Sequence, residues 1–142
     1  MTEAFSSHAT IDLPAGQVWD RLTDWSLAPR WMPGVSALRA DGPLGVGTRL
    51  HFTARGRERS SDVTQVSPGE GLTLTSHVGP VSAHYRYVLT PQADPSMTRL
   101  DLMADVEAAG LMKLLAPVIR KAIAREDSVQ PANFKKMAEV PA

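Results

Sequence analysis

Residues 98–123 read Thr98-Arg99-Leu100-Asp101-Leu102-Met103-Ala104-Asp105-Val106-Glu107-Ala108-Ala109-Gly110-Leu111-Met112-Lys113-Leu114-Leu115-Ala116-Pro117-Val118-Ile119-Arg120-Lys121-Ala122-Ile123. As far as Ala108 the apolar Leu100, Leu102, Ala104, Val106 and Ala108 alternate with Arg99, Asp101, Met103, Asp105 and Glu107, the period of a strand with one wet face. Past Gly110 the period becomes 3.6. Leu111, Leu114, Leu115, Val118, Ile119, Ala122 and Ile123 form a stripe that Val129, Phe134 and Met137 continue, with Lys113, Arg120, Lys121 and Arg125 opposite. A one-sided strand followed by a long amphipathic helix requires that a sheet face meet that helix. Unbroken to Glu139, the helix would run about 43 Å at 1.5 Å per residue, against a radius of gyration near ~14 Å for a domain this size. Pro117 and Pro131 each lack a backbone donor and are the expected interruption points.

Outward from that stretch, Val35 to Ala108 holds strand-like runs between Gly42-Pro43, Gly45-Val46-Gly47, Gly56, Pro68-Gly69, Gly79-Pro80 and Pro91 to Pro95. The clearest are Thr48 to Ala54, Leu72 to Val78, Ala83 to Leu89 and Thr98 to Ala108, and their short turns make neighbours antiparallel. Phe5 to Leu13 alternates as a first strand, and Pro14 to Thr23 reads as a helix. Asp24 and Ser26 then offer caps for a second short helix carrying Trp25, Leu27 and Trp31 and stopped by Pro33-Gly34. The expectation is one α+β domain over residues 1–142: a seven-stranded curved antiparallel sheet wrapped around a long C-terminal helix, with two short helices after strand one.

Composition narrows the function classes. The chain has 142 residues, 43% hydrophobic, with 15 basic and 15 acidic side chains and a formal net charge of zero, so no overall field favours DNA or an anionic membrane. Zero cysteine excludes disulfides, thiolate metal sites and cysteine nucleophiles, and suits a reducing compartment. No window approaches the ~18 apolar residues of a membrane span, and Met1 to Phe5 lacks the basic-then-apolar start of a leader. The expected partner is a small molecule in the cytoplasm, with no DNA and no membrane insertion. The sequence sets no oligomeric state.

The inner-face inventory supplies the small-molecule reading. Ser7, Ala9, Ala54, Ser76, Ala83, Ala104 and Ala108 are small, interspersed with Phe52, Tyr85, Tyr87 and Leu102. A bent sheet facing one helix across such side chains leaves space below interior packing density, and a mostly apolar pocket with a few polar groups is the usual form of a ligand site.

The run Ile11-Asp12-Leu13-Pro14-Ala15-Gly16-Gln17-Val18-Trp19-Asp20-Arg21-Leu22-Thr23-Asp24, then Pro29-Arg30-Trp31-Met32-Pro33-Gly34-Val35, resembles the opening of the START-like, or Bet v 1-like, superfamily (SRPBCC), and most of all its bacterial polyketide cyclase/dehydrase and lipid-transport branch. Gly45-Val46-Gly47-Thr48, Val66-Ser67-Pro68, Tyr85-Arg86-Tyr87-Val88-Leu89-Thr90-Pro91 and Thr98-Arg99-Leu100 agree, so the resemblance covers nearly the whole chain. It implies the helix-grip fold with a hydrophobic cavity between sheet and C-terminal helix. It implies no single activity, because members include carriers, cyclases, hydrolases and stress-response proteins. Pro131 falls inside what the family usually makes a continuous helix.

Candidate chemistry is sparse. His8, His51, His77 and His84 fall on four strands with a parity opposite the apolar face and are expected in solvent, with no HxH, HxxxH or HExxH spacing for a metal. G-x-S-x-G is absent, and Gly45-Val46-Gly47 leads into a strand as a hairpin turn instead of opening a dinucleotide-binding helix. No cofactor is implied. Arg55, Arg57 and Arg59 mark a hairpin turn, a solvated one or a contact for phosphate or an acidic protein surface. The segment from Ala109 carries six basic and three acidic residues, net +3, a wet helix face or a site for an acidic or RNA partner.

The expected ligand-binding set is Trp25, Trp31, Phe52, Ser76, Tyr85, Tyr87, Leu102, Leu115 and Ile119, and no catalytic residue is assigned. Three functions compete: a binder of a small hydrophobic ligand such as a polyketide, lipid or isoprenoid; a polyketide cyclase/dehydratase in the same cavity, with Tyr85, Tyr87 or Ser76 assisting proton transfer; and a protein or RNA interaction module using the basic surface.

Overall fold

In the computed structural model, residues 2–140 are described. The chain runs β1 (Thr2–Ile11), α1 (Ala15–Leu22), a 3-10 turn (Trp25–Arg30), β2 (Val35–Ala40), β3 (Arg49–Ala54), β4 (Arg57–Ser67), β5 (Gly71–Val78), β6 (Val81–Pro91) and β7 (Thr98–Ala108). A second 3-10 turn (Gly110–Leu115) leads into α2 (Ala116–Asp127) and α3 (Gln130–Ala138). The seven strands form one antiparallel sheet in the order β1-β7-β6-β5-β4-β3-β2. The α+β helix-grip architecture expected from the strand and helix periods is present.

The path from β1 to β2, at opposite edges of the sheet, is carried by the two short helices. Pro14 stands at the N-cap of α1, where its missing donor costs nothing, and Val18 and Leu22, one turn apart, are buried. Each such side chain contributes about 1.5–3 kcal/mol by leaving water. Asp24 caps the 3-10 turn, accepting from the Ser26 amide at 3.2 Å and its hydroxyl at 2.6 Å. Register shifts between Glu3 and Phe5, Ser36 and Arg39, and Val63 and Gln65 interrupt three ladders, and such irregularities bend the strands that carry them.

The C-terminal helix comes in three consecutive pieces. Gly110, with φ of 62°, turns the chain out of β7, and Pro117 and Pro131 each lie in the first turn of a new helix. The last piece is the most deeply buried against the sheet. Phe134 is fully buried and meets Trp31 edge-on at 5.3 Å, and Trp31 meets Tyr87 edge-on at 5.8 Å. Lys135 Nζ donates to the Thr10 carbonyl at 2.8 Å, and the Asp12 amide donates to Glu139 at 2.8 Å.

The apolar stripe does not run as the 3.6 period predicts. Leu111, Leu114, Leu115 and Val118, expected against the sheet, are exposed, and Ala116 is the one buried residue of α2. A 3-10 turn closes three residues per turn, so residues 110–115 fall out of phase with the helix that Pro117 restarts.

Candidate functional site

Space remains between the sheet and the junction of α2 with α3. A cavity of about 520 Å³ lies there, bordered by β2 to β6, the loop at Met32 and Pro33, and the junction between α2 and α3. That volume falls in the range of small-molecule sites.

Its apolar lining comes mainly from one edge of the sheet: Val35 and Leu38 of β2, Leu50, Phe52 and Ala54 of β3, then Leu74 of β5. Its polar lining converges from β6 and the helix junction. The Tyr85 hydroxyl donates to Oδ2 of Asp127, the last residue of α2. The buried Tyr87 hydroxyl donates to Oε1 of Gln130, the first residue of α3, at 2.7 Å. Ser61 and Ser76 pair across β4 and β5 at 2.5 Å. The helix break before Pro131 thus positions a carboxyl and an amide over two tyrosines.

Burial is the main influence on these groups. It pushes both phenols well above their ordinary range, with the nearby Asp127 charge acting the same way, so Tyr85 and Tyr87 act as hydrogen-bond donors and not as bases. It also pushes the Asp127 carboxyl up, against the opposing bonds from Tyr85 and Gln130 and the field of Arg55. A carboxyl whose affinity for its proton is raised is a stronger base, once ionised, than an ordinary aspartate.

The mouth of the cavity is polar. Arg55 and Gly56 form the tight turn between β3 and β4, both with positive φ, of 51° and 80°. The Arg55 amide donates to the Gly34 carbonyl at 3.0 Å, and its guanidinium lies 3.3 Å from Glu126 of α2, so one arginine of the basic turn faces the helix across the opening. Arg59 and Glu58 also border the cavity, whereas Arg57 is exposed.

Of the nine ligand-binding residues expected from sequence, Phe52, Ser76, Tyr85 and Tyr87 come together on the cavity wall. Trp31 and Leu102 lie in the core behind it, Trp31 edge-on to Tyr87 and Leu102 paired with Tyr87 across the ladder. Trp25 is half-buried against the core, Leu115 is exposed and Ile119 is half-buried, and none of the three borders the cavity. One histidine corrects the parity rule. His51, expected in solvent, is half-buried and borders the cavity, whereas His8 and His77 are exposed as expected, His77 with Nδ1 2.9 Å from the Ser82 hydroxyl at the cavity rim, and His84 is half-buried with Nδ1 3.0 Å from the Thr75 hydroxyl. The register shift in β2, between Ser36 and Arg39 opposite β3, bends that edge of the sheet, and strict alternation ignores the bend.

Sequence reasoning missed Asp127 and Gln130. The signal was present: Ile119, Ile123, Asp127, Gln130 and Phe134 follow one another at spacings of four, four, three and four, which puts a carboxylate and an amide on the sheet-facing stripe. Among the described residues no three His, Cys, Asp or Glu side chains gather as a metal site, and no helix is long and apolar enough to cross a membrane.

The model of the family described as polyketide cyclase / dehydrase and lipid transport matches residues 2–139. Among solved structures, TTHA0849 from Thermus thermophilus is 16% identical with a TM-score of 0.71, covering 94% of each chain. The Zhui aromatase/cyclase from a Streptomyces species is 20% identical with a TM-score of 0.69, covering 95% of this chain and 92% of that one. Ara h 8.0201 is 14% identical with a TM-score of 0.64, covering 94% of this chain and 93% of that one. At these identities the likeness is one of fold. The comparison with curated proteins returned no match.

Proposed function

The chain belongs to the polyketide cyclase / dehydrase and lipid transport family, and from that premise we propose that it binds a small hydrophobic molecule with one hydrogen-bonding end, held between the sheet and the α2–α3 junction. The observation that supports this most is the division of the cavity lining. Leu38, Leu50, Phe52 and Leu74 offer apolar area, and Tyr85, Tyr87, Asp127 and Gln130 offer donors and acceptors that fix an orientation. A polyketide, lipid or isoprenoid with a terminal hydroxyl, ketone or carboxyl has that pattern. The absence of cysteine suits a ligand carried in the cytoplasm. Native mass spectrometry of the protein purified from its own host tests the reading. A retained apolar molecule is the expected result; a protein bare in every preparation, which no apolar ligand then loads, would overturn it.

The Asp127–Tyr85 pair favours a second reading, a cyclase or dehydratase. Asp127 would take a proton from the carbon beside a ketone, the resulting enolate carbon would attack a second carbonyl of the same chain, and the raised carboxyl would return the proton to the new alkoxide. Elimination of that hydroxyl with a neighbouring proton would release water. Turnover of a poly-β-ketone surrogate by wild type, Asp127→Asn, Tyr85→Phe and Tyr87→Phe separates the readings. Equal rates throughout would remove catalysis and leave binding intact.

A further inference from the structure

The start of the C-terminal helical arm carries apolar side chains that the fold does not use. Leu111 is 87% exposed, Leu114 82%, Val118 66% and Leu115 50%, all within eight residues. Single exposed leucines are ordinary on a protein surface; four neighbours in one turn and its continuation make a contiguous patch.

Charge identifies the partner. Residues 109–125 contain four basic side chains, Lys113, Arg120, Lys121 and Arg125, and no acidic one. Lys113 sits within the apolar run. In α2, Val118, Lys121 and Arg125 are spaced three and four apart on one face, and all three are exposed. The next acids along the chain are turned elsewhere, Glu126 to Arg55 at 3.3 Å and Asp127 to Tyr85. Leucines ringed by lysine and arginine match an anionic lipid surface, where apolar tips enter the headgroup boundary and the cations meet phosphate or carboxylate. A second copy of the chain is a poor match, because a two-fold contact would set the same cations against one another.

The start of the arm is tied to the cavity's rim. The Ala109 amide donates to the Pro80 carbonyl at 3.0 Å, tying the start of the arm to the turn between β5 and β6. Val78, at that turn, borders the cavity and is itself half exposed.

We propose that Leu111, Leu114, Leu115 and Val118, with Lys113, Lys121 and Arg125, form a peripheral docking surface for an anionic membrane, on which the protein lies without spanning it. The surface stands whether or not the cavity holds a ligand.

Co-sedimentation with vesicles tests it, using phosphatidylcholine alone and phosphatidylcholine mixed with phosphatidylserine. Wild type is expected to pellet with the mixed vesicles, less so as salt rises. Leu111→Ser with Leu114→Ser should weaken that binding at least about tenfold, because each leucine loses several buried methylene groups. Lys113→Gln and Lys121→Gln should each weaken it about fivefold on anionic vesicles only. Melting temperature should stay unchanged because the substituted side chains are exposed, and Val118→Ser repeats the test should the double variant fail to fold. Three results overturn the proposal: wild type left in the supernatant with both vesicles, binding that the serine variants retain in full, or a wild-type dimer in sedimentation velocity that the serine variants abolish.

Discussion

The Tyr85 hydroxyl donates to Asp127 Oδ2, joining β6 to the end of α2 across 42 positions of sequence. Burial raises the Asp127 carboxyl above its ordinary range, so the folded chain holds that proton more tightly than the unfolded chain does. Stability is then lost as pH rises from the ordinary aspartate value near ~3.9 through the raised one, and the cost is complete above both. Asp127→Asn cannot ionise. It should melt higher than wild type at about pH 7, with the difference shrinking toward about pH 3. Thermal unfolding across that range checks the sign, and a difference indifferent to pH would contradict the account.

Tyr87 presents the neutral counterpart of that contact. Its buried hydroxyl donates to Gln130 Oε1 at 2.7 Å, and Gln130 is itself buried. Tyr87→Phe leaves the amide oxygen without that donor and should cost about 1–3 kcal/mol in urea unfolding. Tyr87→Phe combined with Gln130→Leu should recover only part of the loss, since the orphaned amide oxygen is gone but Asp127 loses its bond from Gln130.

The fold was legible where one period governs a long run. Leu100 to Ala108 alternates without interruption, and the structure returns a strand over Thr98–Ala108 whose Leu100, Leu102, Ala104 and Val106 are buried. It was less legible where periods meet. Leu111, Leu114 and Leu115 satisfy a helical stripe on paper, but a 3-10 turn ahead of Pro117 rotates them into solvent. The site followed the same division. Tyr85 and Tyr87 were readable because strand parity fixed their face. Asp127 and Gln130 were not, because a carboxylate on an apolar stripe is recognisable only once something across the gap is known to receive it.

Phe134 anchors the arm. It is fully buried and edge-on to Trp31 at 5.3 Å, so Phe134→Ala should destabilise by about 3–5 kcal/mol through lost burial and the cavity left behind. Val129→Ala, at an exposed position in the same region, should change stability by no more than about 0.5 kcal/mol. Denaturant midpoints for the pair check that the buried Phe134 contact, and not the exposed face, carries the stability of α3.

Gly71 opens β5 where the backbone of β6 passes very close. A Cβ built there meets the Tyr87 carbonyl oxygen, so Gly71→Ala must displace one strand from the other next to a cavity tyrosine. A loss of about 1–3 kcal/mol is expected, the range for forced overpacking. A stability equal to wild type would show that β5 and β6 part there without cost.

The central claim is that the space under α2 receives an apolar guest with a polar end. Two-dimensional amide spectra recorded during titration with 2-naphthol, a small aromatic carrying one hydroxyl, test it most directly. The account predicts saturable shifts gathered at Ser76, Ala83, Tyr85 and Gln130, and their loss in Ala83→Trp, which fills the cavity from β6. Shifts confined to Thr64, Thr73 and other outer-face positions, or shifts that Ala83→Trp leaves in place, would contradict it.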